Sequence, residues 1–273
     1  MKPGIYAGLP ETAYFADPAL SSTEARWLLD SPARYRYEKD HKRGSNDAFN
    51  FGSAVHSKVL GTGWPVEVLD FDSYRTKAAQ QARDDAYANE LVPILKAQAD
   101  EVEAVAEAVL AHPTARALFE AEGQAEASVF ATDPVTGVNM KARFDFLGAT
   151  AVDLKTTAGK ASPDGFAKSV ASFRYDIQSA HYLDTLANAT GEDREFYFVV
   201  AEKTAPFLVG VYRLSDHFNE IGSADALRAR ELYAECMATG EWPGYGLAVQ
   251  EIAPPTWLAW QHEALEADIE VAS

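Results

Sequence analysis

Three β-strand patterns follow one another between residues 125 and 156, and they constrain the fold of this chain more than any other feature. The first two patterns, 125–131 and 138–147, flank the turn-forming residues 132–137, which predicts a hairpin. The third pattern, 150–156, comes after Gly148. Because the connections are short, we expect these strands to be neighbours in one sheet.

Four charged side chains lie on these three strands: Glu126, Asp145, Asp153 and Lys155. Positions i and i+2 of a strand point to the same face, so the Asp153 carboxylate and the Lys155 ammonium should lie side by side. A carboxylate that holds a divalent cation would then lie next to a lysine that reaches the same reacting group. This pairing favours metal-dependent cleavage of phosphodiesters.

Each acid taken alone could be an ordinary residue at a strand end. A buried carboxylate is costly, however, unless it has a charged partner or a metal. The turn between the strands can bring Asp145 and Asp153 onto adjacent strands, and Glu126 could lean toward the same edge. Converging carboxylate oxygens favour Mg²⁺ or Mn²⁺ as the cofactor.

Three further polar residues become candidates for the same site because of their order in the chain relative to the strand residues. Gln178 and Tyr182 are four residues apart on a predicted helix over 174–188, so they share one helix face. His56 lies within a predicted apolar helix over 51–60. Taken alone, the helix pair is better explained as a polar surface pair and His56 as a core imidazole.

The rest of the chain is mainly helical. Ser21 or Ser22 can cap a helix that runs to residue 29, and Ser31-Pro32 predicts another that runs to residue 38. The other predicted elements are a loop at 44–46, a strand at 66–71, largely helical residues 74–119 broken near Pro93 and Pro113, a helix at 164–172, strands at 195–202 and 207–214, and a helix at 215–239.

Composition limits the class of protein. With 273 residues and 47% hydrophobic side chains the chain can bury a sizeable core, and no apolar run approaches the roughly 20 residues that span a bilayer. The N-terminus lacks a signal-peptide pattern, and the single Cys236 excludes an internal disulfide. We therefore expect a cytoplasmic protein without a membrane partner.

Charge is distributed unevenly along the chain. The net charge of −17 argues against a protein that coats nucleic acid with its whole surface. Six basic residues nevertheless lie between Arg26 and Arg43, interleaved with aromatic ones, while no Lys or Arg follows Arg230. The basic segment is either a phosphate-binding patch that includes Arg34 and Arg36, or a solvated amphipathic helix.

The ordered series from His56 to Tyr182 resembles the PD-(D/E)XK nucleases, in their RecB-like branch. Further segments make the chain similar to the exodeoxyribonuclease VIII (RecE-type) nuclease domain of phages and prophages: ALSS at 19–22, SPA at 31–33, FGSAVH at 51–56, DPVTG at 133–137, KARFD at 141–145, VDLKTT at 152–157 and GEWPGY at 240–245. One departure is Asp153, where the superfamily often has Glu.

The resemblance implies a fold and a set of residue roles. The implied fold is an α/β, restriction-endonuclease-like αβββαβ core with a mixed sheet and extra N-terminal and middle helices. In the implied site, the metal ligands are His56, Asp145, Asp153 and the Leu154 carbonyl, and Glu126 serves a second metal or its waters. Lys155 would position and help to deprotonate the attacking water, Gln178 and Tyr182 would hold the DNA strand or site waters, and Arg143 could contact the scissile phosphate.

The resemblance also implies an activity and partners. The activity is Mg²⁺-dependent 5′→3′ digestion of one strand of linear double-stranded DNA by a ring-shaped homo-oligomer, and the further partner is a single-strand annealing protein. We expect one nuclease domain over 1–253, with a helix-rich part to about 120, the catalytic sheet over 121–215, a helix over 215–240 and an acidic tail over 254–273. Two alternatives are a catalytically idle DNA- or protein-binding module and a structure-specific endonuclease.

Overall fold

A computed structural model describes residues 1–41 and 47–262 of the chain. The strands named here are β1 (Gly4–Tyr6), β2 (Val66–Leu69), β3 (Val92–Leu95), β4 (Gly123–Thr132), β5 (Asn139–Gly148), β6 (Ala151–Thr157), β7 (Phe196–Glu202) and β8 (Val209–Tyr212). The helices are α1 (Glu11–Ala16), α2 (Ser22–Asp30), α3 (Pro32–Asp40), α4 (Asp47–Leu60), α5 (Lys77–Ala88), α6 (Lys96–Ala111), α7 (Pro113–Phe119), α8 (Pro163–Phe173), α9 (Tyr175–Thr190) and α10 (Asp216–Thr239).

A six-stranded mixed sheet has the order β1-β4-β5-β6-β7-β8. Its neighbours are antiparallel except β6 and β7, which are parallel and are connected through α8 and α9. Helices followed by β4, β5 and β6, then α8 and α9, then β7 reproduce the expected αβββαβ order. The predicted hairpin is the β4–β5 pair, and the predicted third strand is β6.

Helix starts follow the capping residues in the sequence. Ser21 forms a capping box with Glu24, because each residue binds the backbone N–H of the other. Ser31 caps α3, with Pro32 in the first helical position, where the missing N–H of proline has no cost. The predicted starts of α2 and α3 are therefore confirmed.

Some predicted elements differ from the observed ones. Pro93, which we expected to break a helix, lies within the buried strand β3, paired in parallel with β2 in a separate two-stranded sheet. Proline is tolerated there because, within the described ranges, β3 pairs with β2 alone and so has a free edge. Strand β1 and helix α1 were not predicted, since both are short, and the predicted loop at 44–46 lies outside the described residues.

Two apolar layers cover the two faces of the six-stranded sheet. One layer comes from α4, α6 and α7 and includes Phe146 and Leu154 from the sheet, and the other comes mainly from α8 and α9 and includes Phe144. Ala125 packs in the first layer and Ala127 in the second, although residues two apart on a regular strand share a face. Their partners on β5, Phe146 and Phe144, divide between the layers in the same way, so both strands change face at Glu126 and Asp145, where Glu126 has a left-handed φ of 54°.

The chain separates into two compact units, Met1–Trp242 and Pro243–Ser273. All the helices and strands named above belong to the first unit. The described part of the second unit includes a short helix over 256–262, on which Trp257 and Trp260 are exposed. Neither unit, in its described residues, contains a helix with the length and apolar character of a membrane span.

A buried histidine ties α9 to the sheet. His181 is fully buried, and its Nε2–H lies 3.1 Å from the Leu20 carbonyl oxygen and 3.2 Å from that of Lys141. Its Nδ1 has no hydrogen-bond partner among the described residues. Burial, with a further contribution from the Arg230 charge, lowers the pKa of His181 to about 4.

This pKa predicts a loss of stability in acid. The unfolded chain takes up the proton near pH 6.5 and the folded chain only near pH 4, so the free energy of unfolding falls as the pH drops through that window. Between pH 7 and pH 4.5 the free energy of unfolding, measured with urea, should fall by about 2 kcal/mol more in the wild type than in His181→Gln. The exposed His217→Gln is the control, and an equal loss in all three proteins would contradict this account.

Candidate active site

The candidate site lies where β5 and β6 separate. Among the described residues the two strands pair only through Phe146 with Val152 and Leu147 with Ala151. Beyond these pairs β5 no longer pairs with β6, and the side chains of Asp145 and His56 bind the backbone of Leu154 instead. Its N–H donates to Asp145 Oδ2 at 2.6 Å, and its carbonyl oxygen accepts from His56 Nε2 at 2.7 Å.

His56 reaches this gap from α4. Its Nδ1 lies 3.4 Å from Asp145 Oδ1, so the imidazole lies between a carboxylate and a carbonyl oxygen. Burial alone would lower the pKa of His56, but the Asp145 carboxylate raises it to about 9. Burial likewise would raise the pKa of Asp145, whereas the charge of His56 and its hydrogen bond lower it.

Glu126 completes a cluster of possible metal ligands. In the β4–β5 register it lies opposite Asp145, between the pairs Ala125 with Phe146 and Ala127 with Phe144. One nitrogen of His56 and one carboxylate oxygen each of Glu126 and Asp145 lie within 4.8 Å of one another. The positive φ of Glu126 contributes to this placement, because it turns the residue out of the regular strand alternation.

Asp153 and Lys155 of β6 lie next to α9. Lys155 Nζ is 2.5 Å from Asp153 Oδ1 and donates to Gln178 Oε1 at 2.9 Å, while Gln178 Nε2 donates to Asp153 Oδ2 at 2.6 Å. The Gln178 amide therefore bridges both charged groups. The expected shared face of Asp153 and Lys155 is observed.

The environment raises the pKa of both members of this pair. Burial would lower the pKa of Lys155, but the adjacent Asp153 raises it, so the ammonium keeps its proton at neutral pH. Burial raises the pKa of Asp153, and the nearby Asp145 charge raises it further, whereas Lys155 opposes both.

Two tyrosines of α9 line the same region. Tyr182 lies one turn after Gln178, and its ring packs against Phe144 with the ring centres 5.0 Å apart. Burial, followed by the charges of Asp153 and Asp145, raises the pKa of Tyr182. Sequence reasoning missed Tyr175, whose ring centre lies 4.5 Å from Lys155 Nζ, because an aromatic residue at a helix start gives no signal of such a contact.

The donor set fits a divalent cation. Glu126, Asp145 and the Leu154 carbonyl offer oxygens, which are the hard ligands that Mg²⁺ and Mn²⁺ prefer, and His56 adds one imidazole nitrogen. Asp153 was also a predicted ligand, and its carboxylate contacts Lys155 and Gln178.

Comparison with known families shows the family to which the chain belongs. The model of a family described as a PDDEXK-like domain of unknown function (DUF3799) matches residues 21–251 of the chain. The chain belongs to this PDDEXK-like family. Its fold is similar to the crystal structure of a proposed exonuclease from Eubacterium rectale, with a TM-score of 0.58 and 19% identity over 92% of this chain and 96% of that chain. No curated protein matches the chain.

Membership of the PDDEXK-like family confirms the predicted PD-(D/E)XK fold, and it supports a nuclease. Nucleases of this kind typically use divalent metals, in agreement with the ligand cluster of His56, Glu126 and Asp145. A nuclease fold also implies DNA as the substrate.

The three predicted DNA-binding arginines all have acidic partners. Arg143 Nε donates to Glu126 Oε2 at 2.5 Å. Arg36 Nε lies 3.0 Å from Asp40 within α3, whereas Arg34 of α3 pairs with Asp30, the last residue of α2, and both arginine side chains are about half exposed. DNA contacts by these arginines stay predictions, and the last two basic residues of the 26–43 segment lie outside the described residues.

Proposed function

We propose that this chain is a metal-dependent DNA exonuclease that digests one strand of linear duplex DNA 5′→3′ and leaves a 3′ single-stranded tail for phage-type recombination. One observation carries the proposal. At the separation of β5 and β6, possible metal ligands from α4, β4 and β5 come together beside β6, the strand that carries the Asp153–Lys155 pair. Phosphodiester hydrolysis needs this combination, because the attacking water must be activated and the growing negative charge must be stabilised.

Each residue of the site has a role in the proposal. His56, Asp145, Glu126 and the Leu154 carbonyl would hold the cation, with Asp153 as a further ligand. A bound Mg²⁺ supplies a water of lowered pKa and neutralises charge on the phosphate. Asp145 also fixes the ligand geometry, since its second oxygen binds the Leu154 N–H.

Lys155 would act as a cation. Because Asp153 raises its pKa, Lys155 carries its proton at neutral pH and can donate hydrogen bonds to the attacking water and to a phosphate oxygen. Gln178 holds both Lys155 and Asp153, so it would preserve their relative orientation while substrate binds. Tyr182 would support the same side of the site through its packing on Phe144.

Binding of duplex DNA requires local positive charge on a chain of net charge −17. Arg34 and Arg36 would bind backbone phosphates, exchanging their acidic partners Asp30 of α2 and Asp40 of α3 for DNA. Assembly into a ring, with an annealing protein as recombination partner, would concentrate such charge in a central channel. The acidic tail after Pro255, with Trp257 and Trp260 exposed, offers apolar surface for one of these contacts.

The proposal predicts a difference between linear and circular DNA. Purified protein with Mg²⁺ should degrade a linear duplex, release a 5′-end label before a 3′-end label, and leave covalently closed circles intact. Nicking of the circles would favour the structure-specific endonuclease. Retention of DNA without any cleavage would favour the idle binding module, and early release of the 3′ label would contradict the proposed polarity.

A further inference from the structure

We propose that Arg143 is a positioning residue, which holds the Glu126 carboxylate in the cation site. This inference rests on the proposed function, since it assigns how one ligand of that site is kept in place. It begins from the Arg143–Glu126 ion pair, in which Nε donates to Oε2 at 2.5 Å. Both side chains are mostly buried, at 16% and 20% exposure, so the pair is shielded from solvent.

Glu126 needs a partner because of its backbone. Its φ of 54° is unusual for a residue with a side chain and places Glu126 outside the regular alternation of β4. The flanking Ala125 and Ala127 pack on opposite faces of the sheet. At such a junction the strand pleat does not determine the direction of the carboxylate, whereas a fixed guanidinium can determine it.

The guanidinium of Arg143 is itself held by other elements. Its Nη1 donates to the Leu9 carbonyl oxygen at 3.0 Å and to Ser128 Oγ at 3.4 Å, and the group lies 5.7 Å from the centre of the Tyr14 ring. These contacts come from β4, from α1 and from the segment that precedes α1. Arg143 is therefore anchored independently of Glu126, as a positioning group must be.

A neighbouring contact strengthens the anchor. Lys141, two residues before Arg143 and on the same face of β5, donates to the carbonyl oxygens of Tyr14 at 3.1 Å and Asp17 at 2.7 Å. Lys141 thereby fixes α1 against β5. The side chains of Lys141, Arg143 and Asp145 thus connect α1, Glu126 and the Leu154 backbone along one strand.

Binding of Mn²⁺ in the absence of DNA tests this role without relying on catalysis. Titration calorimetry or electron paramagnetic resonance would compare wild type, Arg143→Lys, Arg143→Gln, Glu126→Gln and the Arg143→Gln/Glu126→Gln double variant. Loss of a group that orients a metal ligand typically weakens metal binding about 10- to 100-fold. We expect affinity to fall from wild type to Arg143→Lys to Arg143→Gln, and the double variant to bind no more weakly than Glu126→Gln alone.

Two results would overturn the inference. If Arg143 only opposes the cation by charge, Arg143→Gln would bind Mn²⁺ more tightly than wild type and Arg143→Lys would match wild type. If Arg143 instead contacts a phosphate, Mn²⁺ affinity would stay unchanged while DNA affinity falls. Arg116→Gln is the matched control, because Arg116 of α7 and Glu120 form a solvent-exposed ion pair, 2.8 Å from Nε to Oε1. Wild-type protein that binds Mn²⁺ but cleaves no DNA would refute the proposed function and leave this inference standing.

Discussion

Replacing Lys155 with alanine is expected to abolish cleavage of linear duplex DNA while the protein still folds. The ammonium would no longer donate to the attacking water or to the phosphate, and a donor of this kind typically contributes about 100- to 1,000-fold to the rate. Asp153→Ala should have an effect of the same size, since it removes the carboxylate that holds Lys155 at 2.5 Å. Initial rates of label release, measured at saturating Mg²⁺, give the comparison.

The controls for this prediction separate chemistry from folding. Removing either member leaves the other buried without its charged partner, so the melting temperature of each variant must be measured alongside its rate. Lys168→Ala removes an exposed lysine of α8 and should leave both quantities unchanged. Near wild-type digestion by Lys155→Ala or Asp153→Ala in folded protein would exclude the assigned site.

Local sequence rules predicted the frame of this site well. Strands β4, β5 and β6 were predicted from their patterns and connecting turns, and α2 and α3 from Ser21, Ser31 and Pro32, because turns and caps depend on residues close in the chain. The shared face of Asp153 and Lys155 followed from the period of a strand, which is fixed by backbone geometry.

Features that depend on distant residues could not be predicted in this way. Where β5 and β6 separate, the Leu154 carbonyl is bound by His56, which lies 98 positions earlier in the chain. The left-handed backbone of Glu126 has no signal in the sequence, because it is found where Arg143 and the two packed layers surround it. For the same reason the spacing placed Arg143 on the face of Asp145 without indicating that Glu126 would engage its guanidinium.

Metal dependence is the second large effect that we expect. Cleavage should require Mg²⁺ or Mn²⁺, stop when a chelator is added, and return when the metal is restored. Ca²⁺ should inhibit, because its larger and less regular coordination shell binds carboxylates without placing a water for attack. The measurement is the rate of label release across a titration of each ion, and cleavage that survives the chelator would contradict a metal mechanism.

Asp145→Asn separates loss of the cation from loss of the fold. In the wild type the Leu154 nitrogen lies 2.6 Å from Asp145 Oδ2, and the asparagine amide keeps an oxygen that can accept this hydrogen bond. The substitution removes the negative charge that faces His56. A cation at 100 times its dissociation constant stabilises the folded state by about 2.7 kcal/mol, so Mn²⁺ should raise the melting temperature of wild type. Asp145→Asn should fold, lose this rise and lose cleavage, whereas Asp164→Asn, an exposed acid of α8, should keep both. If the rise persists in Asp145→Asn, the stabilising cation binds outside the cluster of His56, Glu126 and Asp145.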